Sequence, residues 1–203
     1  ADPDLLRQAG LHADRLSINV ELPTEGGLKR LAPEKDGARI EGAMRHLRNE
    51  MEDKGEARRK YRHAPRFAPA GQSTQMIVGA DAACDDDILK AATNLYSGYH
   101  LRRVYYSAFS PIQDSSGDLP LIKPPLMREH RLYQADWLMR FYGFEKDEIF
   151  EARGDGMLDL DLDPKLAWAL ANRHCGACGE RMTPEAGGYR RRCPGCGHPV
   201  FPR

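Results

Sequence analysis

His174 to His198 reads HCGACGERMTPEAGGYRRRCPGCGH. It holds two CxxC pairs, Cys175-Gly176-Ala177-Cys178 and Cys193-Pro194-Gly195-Cys196, with 14 residues between them. Two intervening residues let one tight turn offer both sulfurs to one ion, and four thiolates complete a tetrahedron around zinc. Gly179 and Gly197 follow each pair, where the chain must turn sharply and glycine relieves backbone strain. Gly187-Gly188 suits a hairpin tip. About 30 residues cannot bury a sufficient core, so metal supplies the folding energy. With four protein ligands the site is closed, and so structural. His174 and His198 flank a shell that is already full.

The wider chain sets the context. It has 203 residues, room for one good-sized domain and a small one. Thirty basic residues balance thirty acidic ones, so any attraction to nucleic acid must be local. No apolar run approaches the roughly 18 residues of a membrane span. The start lacks the basic-then-apolar pattern of a secretion signal. These features predict a cytoplasmic protein with no membrane partner. There, clustered cysteines favour metal over disulfides or redox chemistry. The fifth cysteine, Cys84, reads as a lone thiol.

Upstream, the pattern alternates strands and helices. Asp2-Pro3 opens a short helix that Gly10 is expected to stop. Leu16-Ser17-Ile18-Asn19-Val20-Glu21-Leu22 alternates strictly, predicting a strand ended by Pro23. Leu28 to Leu31 suggests a helical turn. Ile40, Met44, Leu47 and Met51 predict an amphipathic helix over about 36–60. Gln75 to Gly79 reads as a second strand and Arg103 to Phe109 as a third. Between them Asp85-Asp86-Asp87 caps a helix that stops around Gly98. A proline-rich loop over 110–125 precedes a helix over roughly 126–141, with Tyr133, Trp137 and Phe141 as its core stripe. Asp163-Pro164 starts a last short helix. This order predicts parallel βαβ units and an α/β fold.

In the first strand Ser17, Asn19 and Glu21 share one face. In a parallel barrel the outer face packs on helices, so a polar face lines the interior. Three polar residues there are costly unless they bind something. A wet face on an edge strand accounts for them equally well. Asp159-Leu160-Asp161-Leu162-Asp163 imitates the start of a calcium loop. Its sixth and twelfth positions would be Pro164 and Leu170, so it is not one.

The stretch from Asn172 to Arg203, with both CxxC pairs and the closing Phe201-Pro202-Arg203, resembles the zinc ribbon of Nudix NAD(H) pyrophosphatases. In that family the ribbon precedes the catalytic domain. The family's glutamate-rich helix with its REXXEE core is not among these 203 residues.

A second resemblance covers residues 1–170. LSINVELPTE, RHAPRFAPAGQSTQMIVGA, VYYSAFSPI, KPPLMREHRLYQADWLMRFYGF and LDLDLDPKLAWAL together resemble radical SAM proteins assigned to DNA modification or repair. The resemblance implies the later strands of a partial parallel (βα) barrel fragment, followed by the small zinc ribbon of 171–203. It implies S-adenosylmethionine and a [4Fe–4S] cluster as cofactors, with nucleic acid as the substrate. It makes Ser17, Asn19 and Glu21 the foremost cofactor-facing residues, with Gln72, Ser73 and Gln75 next. That family's CxxxCxxC loop is not in this sequence, and without three thiolates no such cluster forms. The start at Ala1-Asp2-Pro3 then reads as a truncation. The two resemblances meet near Leu170 to Asn172, as two unrelated pieces joined by fusion, by sequence assembly or by design.

Three functions follow: an inactive fragment of a radical SAM enzyme, a ribbon protein binding nucleic acid or protein through arginines, or a fragment related to NAD(H) pyrophosphatases. Arg58, Arg59, Lys60, Arg62 and Arg66, interleaved with Tyr61 and Phe67, are the basic-aromatic candidate for a phosphate backbone. A solvated helix end explains them more simply. Arg190-Arg191-Arg192 invites the same two readings. A half-barrel predicts self-association through exposed edges.

Overall fold

A computed structural model describes residues 2–112, 117, 119–150, 154–175, 177–185 and 190–200. The chain forms two compact units, one of residues 1–83 and 90–124, the other of residues 84–89 and 125–203.

The first unit is built on a parallel sheet of order β1-β2-β3, with β1 at Leu16–Ser17, β2 at Gln72–Val78 and β3 at Arg103–Ala108. Helix α1 (Pro3–His12) precedes the sheet. Helices α2 (Glu25–Leu31) and α3 (Gly37–Lys60) link β1 to β2, and α4 (Asp85–Tyr99) links β2 to β3. The parallel βαβ order is therefore as the sequence predicts. Three strands are present in this sheet, and a barrel wall is not shown.

Local chemistry explains the helix starts. Asp2, Thr24 and Asp36 each accept backbone N–H bonds at the N-termini of α1, α2 and α3. Gly10 does not end α1, which runs on to His12. A Cβ at Gly10 would lie 2.2 Å from the Phe67 ring, so glycine there permits close packing. Phe67, Leu47 and Ala68 form one buried cluster, with Leu6, Leu16, Ile18 and Met51 against it.

The expected seven-residue first strand is broken. Ser17 pairs with Ser73, yet Glu21 pairs with Met76. Four steps on one strand meet three on the other, so an extra residue is accommodated between them, as in a β-bulge. The Val20 N–H bonds to Thr74 Oγ1 at 3.0 Å rather than to a carbonyl. Glu21 adopts φ 66°. The bulge moves Glu21 out of the register that Ser17 follows.

The second unit contains the first turn of α4, then α5 (Leu126–Tyr142), α6 (Lys146–Phe150) and α7 (Pro164–Ala171), and a second sheet. The carboxylate of Asp85 is fully buried there. It meets Arg128 Nε at 2.6 Å and the Leu158 N–H at 2.9 Å. Asp86 N donates to the carbonyl of Gly156, whose φ is 68°. Arg131 donates to the carbonyls of Asp159 and Leu160, and Asp159 Oδ1 accepts the N–H groups of Asp161 and Leu162. The aspartate-rich stretch is thus an Asx turn. Asp163 caps α7, as expected.

The core stripe of α5 differs from the sequence reading. Trp137 and Phe141 are half exposed and stack on each other at 4.4 Å. Leu132, Ala135 and Leu138 are the buried apolar residues instead. Trp168 of α7 fills the interior, edge-on to Phe144 at 5.3 Å. Among the described residues no helix is long and apolar enough to cross a membrane.

Asp85→Ala removes a buried carboxylate from an ion pair and strips the partner of Leu158 N. The expected cost is about 3 kcal/mol, read as a lower urea midpoint at unchanged slope. A midpoint equal to wild type contradicts a stapling role for Asp85.

Candidate metal centre

The second sheet is antiparallel, of order β4-β5-β6, with β4 at Thr183–Glu185, β5 at Arg190–Arg192 and β6 at Pro199–Val200. The two CxxC turns flank it and share one hydrogen-bond pattern. Gly179 N donates to the Cys175 carbonyl, and Gly197 N to the Cys193 carbonyl. Cys175 N donates to the Glu180 carbonyl, and Cys193 N to the His198 carbonyl. Gly179 (φ 75°) and Gly197 (φ 72°) are left-handed, the conformation expected of the residue after each pair. The predicted tip at Gly187-Gly188 and the closing Phe201-Pro202-Arg203 lie outside the described residues.

These turns bring the four sulfurs within 4.8 Å of one another. Cys175 and Cys196 are 3.7 Å apart, Cys178 and Cys193 3.4 Å, and Cys178 and Cys196 3.6 Å. A tetrahedron with Zn–S bonds of about 2.3 Å has S···S edges of about 3.8 Å. A disulfide requires about 2.05 Å. The cluster therefore fits a tetrahedral thiolate ion, and all five cysteines are unbridged. His174 and His198 are not part of the cluster.

The surroundings fit a metal-held fold. Among the described residues, those buried and packed together here are Cys175, Met182 and Cys193, so one methionine is the apolar side chain of this cluster. Backbone donors tune the thiols. The Cys196 N–H holds Cys193 down at about 7. At Cys178 the pull of the Glu180 N–H is outweighed, first by the Cys193 thiol, and the group is pushed up to about 12. Cys196 is raised too, the pull of the His198 N–H being outweighed by its neighbouring thiols. Without a cation, four sulfurs this close cannot all be charged.

The ribbon arginines are engaged. Glu185 pairs with Arg190 at 2.9 Å and with Arg192 at 3.1 Å, and Arg191 donates to the Met182 carbonyl.

The other residues singled out in the sequence lie on the parallel sheet. Ser17 Oγ bonds Asn19 Oδ1 and the Ser73 carbonyl. Glu21 pairs with Lys35 at 2.6 Å. The Gln72 amide is buried and donates to the carbonyls of Met44 and Tyr99, so it ties two helices to β2. Ser73 and Gln75 lie opposite Arg103 and Tyr105. Ser17, Ser73 and Gln75 thus share a polar row that Gln72 and Glu21 do not join. Cys84 Sγ bonds Asp87 Oδ2 at 3.2 Å, and burial pushes its thiol up.

Comparison with known proteins bears on the ribbon. Residues 171–201 match the NADH pyrophosphatase zinc ribbon domain. The chain is also similar to the NAD-capped RNA hydrolase NudC of Deinococcus radiodurans, 31% identical over 117 residues. That match covers 57% of this chain and 38% of the relative's length. No solved structure matches the chain. These findings support the ribbon resemblance and lend nothing to the radical SAM resemblance of residues 1–170. The C-terminal segment thus matches a zinc ribbon domain of the NADH pyrophosphatase type, and Cys175, Cys178, Cys193 and Cys196 within it are placed to hold one metal ion.

Zinc uptake at pH 7 is expected to release at least about two protons per ion, because Cys178 and Cys196 start protonated. A weakly buffered indicator titration measures them. Loading weakens as pH falls, since acid reprotonates the thiolates. Cys175→Ser is expected to weaken zinc retention about 100-fold, one ligand's share of the binding free energy. Uptake without proton release contradicts thiolate ligation.

Proposed function

We propose that this chain is the ribbon-bearing part of a protein related to NAD(H) pyrophosphatases, and that the ribbon holds one structural Zn2+. The observation that carries the reading is the coincidence of a family-type ribbon with four sulfurs at tetrahedral spacing. The relative in Deinococcus radiodurans, an NAD-capped RNA hydrolase, suggests the chemistry of the whole protein: cleavage of a dinucleotide pyrophosphate. The ribbon's part in it is mechanical. A closed four-thiolate site has no open coordination position, so it activates no water. The REXXEE glutamates of that family are not among the 203 residues.

A second reading takes residues 1–170 as later strands of a radical SAM barrel that would meet S-adenosylmethionine. Its basis is the sequence resemblance alone; a three-stranded parallel sheet is compatible with it, and a barrel wall is not shown. The cluster cysteines such a protein needs are not in this sequence.

Elemental analysis and assay of the purified chain test both. The expected result is about one zinc per chain, no iron, and no magnesium-dependent NAD cleavage. Stoichiometric iron with sulfide raises the second reading above the first. A folded, zinc-free chain removes the first.

A further inference from the structure

The first unit carries a cleft of about 370 Å³ between α3, the loop after it, and the residues that precede β3. Its charged lining is Arg48, Lys54, Arg58, Arg66 and Arg102, with Glu52 as the one carboxylate. The whole chain has equal numbers of acidic and basic residues, so five cations against one anion is a local concentration of charge. Glu52 is shared between Arg48 at 3.6 Å and His100 at 3.2 Å. Lys54 and Arg66 make no side-chain ion pair among the described residues. A cleft lined by one sign of charge focuses its field on a ligand of the other sign.

The helix dipole does not account for this arrangement. It favours cations in the last turn of α3, which explains Arg58, Arg59 and Lys60. Arg48 stands three turns earlier, Arg66 is in the following loop, and Arg102 precedes β3. Gly71 brings that strand in closely: its φ is 81°, and a Cβ there would lie 2.5 Å from Arg102 Cγ. Three separate segments thus converge on one basic hollow.

The lip of the hollow selects among anions. Arg59, Lys60 and Arg62 follow Arg58 along the chain and are exposed, and among them Tyr61 is 69% exposed. An exposed aromatic ring within a basic track is the combination that stacks unpaired bases while cations follow the phosphates. Duplex bases are already stacked and cannot reach it. We propose that this cleft and the end of α3 form a binding site for the phosphate backbone of single-stranded nucleic acid, with Tyr61 as the stacking platform. The site is independent of the ribbon, whose Arg190 and Arg192 are paired with Glu185.

The test is fluorescence anisotropy of the full zinc-loaded chain with a labelled oligodeoxythymidylate of about 20 nucleotides. Four phosphate contacts give a log–log salt slope of about −2.8, or roughly 50-fold weaker binding at 200 than at 50 mM salt. Lys54→Glu with Arg66→Glu is expected to weaken binding at least about tenfold and flatten the slope by about 1.4. Tyr61→Ala is expected to weaken binding while the slope stays unchanged. Circular dichroism checks that each variant folds, and Lys54→Gln with Arg66→Gln replaces the charge reversal if it does not. Three results overturn the proposal: no binding at 50 mM salt, wild-type binding by the folded double variant, or full displacement by thymidine monophosphate at equal phosphate concentration. The last would mark a mononucleotide pocket.

Discussion

Four sulfurs gathered within 4.8 Å repel one another as soon as more than one is ionised, and a divalent cation at their centre turns that repulsion into a bond. The C-terminal segment rests on this exchange. Among the described residues its strands are two or three residues long, and its buried cluster is two cysteines and one methionine. Hydrophobic burial on that scale does not hold a fold. The two CxxC turns, with matching hydrogen bonds and left-handed glycines, aim the sulfurs at one point.

The rest of the chain is stabilised by a different device, buried polar side chains that bond backbone groups of other elements. Asp85 joins Arg128 to the backbone of Leu158, and the Gln72 amide joins two helices to the central strand. Such groups are costly to leave unpaired, and they specify one arrangement of the elements around them. They also explain why polar residues in a buried strand need not signal a ligand.

Features that depend on near neighbours in the chain were legible in the sequence. The cysteine spacing, the glycines after each pair, the caps at Asp2 and Asp163 and the parallel alternation of strands and helices all belong to this class. Features set by distant residues were not. The bulge before Glu21 depends on a hydroxyl at Thr74 that the first strand cannot announce, and it moves Glu21 out of the register of Ser17. The partners of Gln72, the carbonyls of Met44 and Tyr99, are backbone atoms with no sequence signature. Gly10 looked like a helix stop because its neighbour Phe67 is far along the chain. The basic run at the end of α3 was visible as composition, whereas its convergence with Arg48 and Arg102 needed the fold.

X-ray absorption at the zinc edge on the purified chain tests the central claim most directly. The account predicts a single shell of four sulfurs at about 2.3 Å. A shell containing nitrogen or oxygen at about 2.0 Å would mean that a histidine, carboxylate or water completes the site. The closed, structural centre described here would then be contradicted.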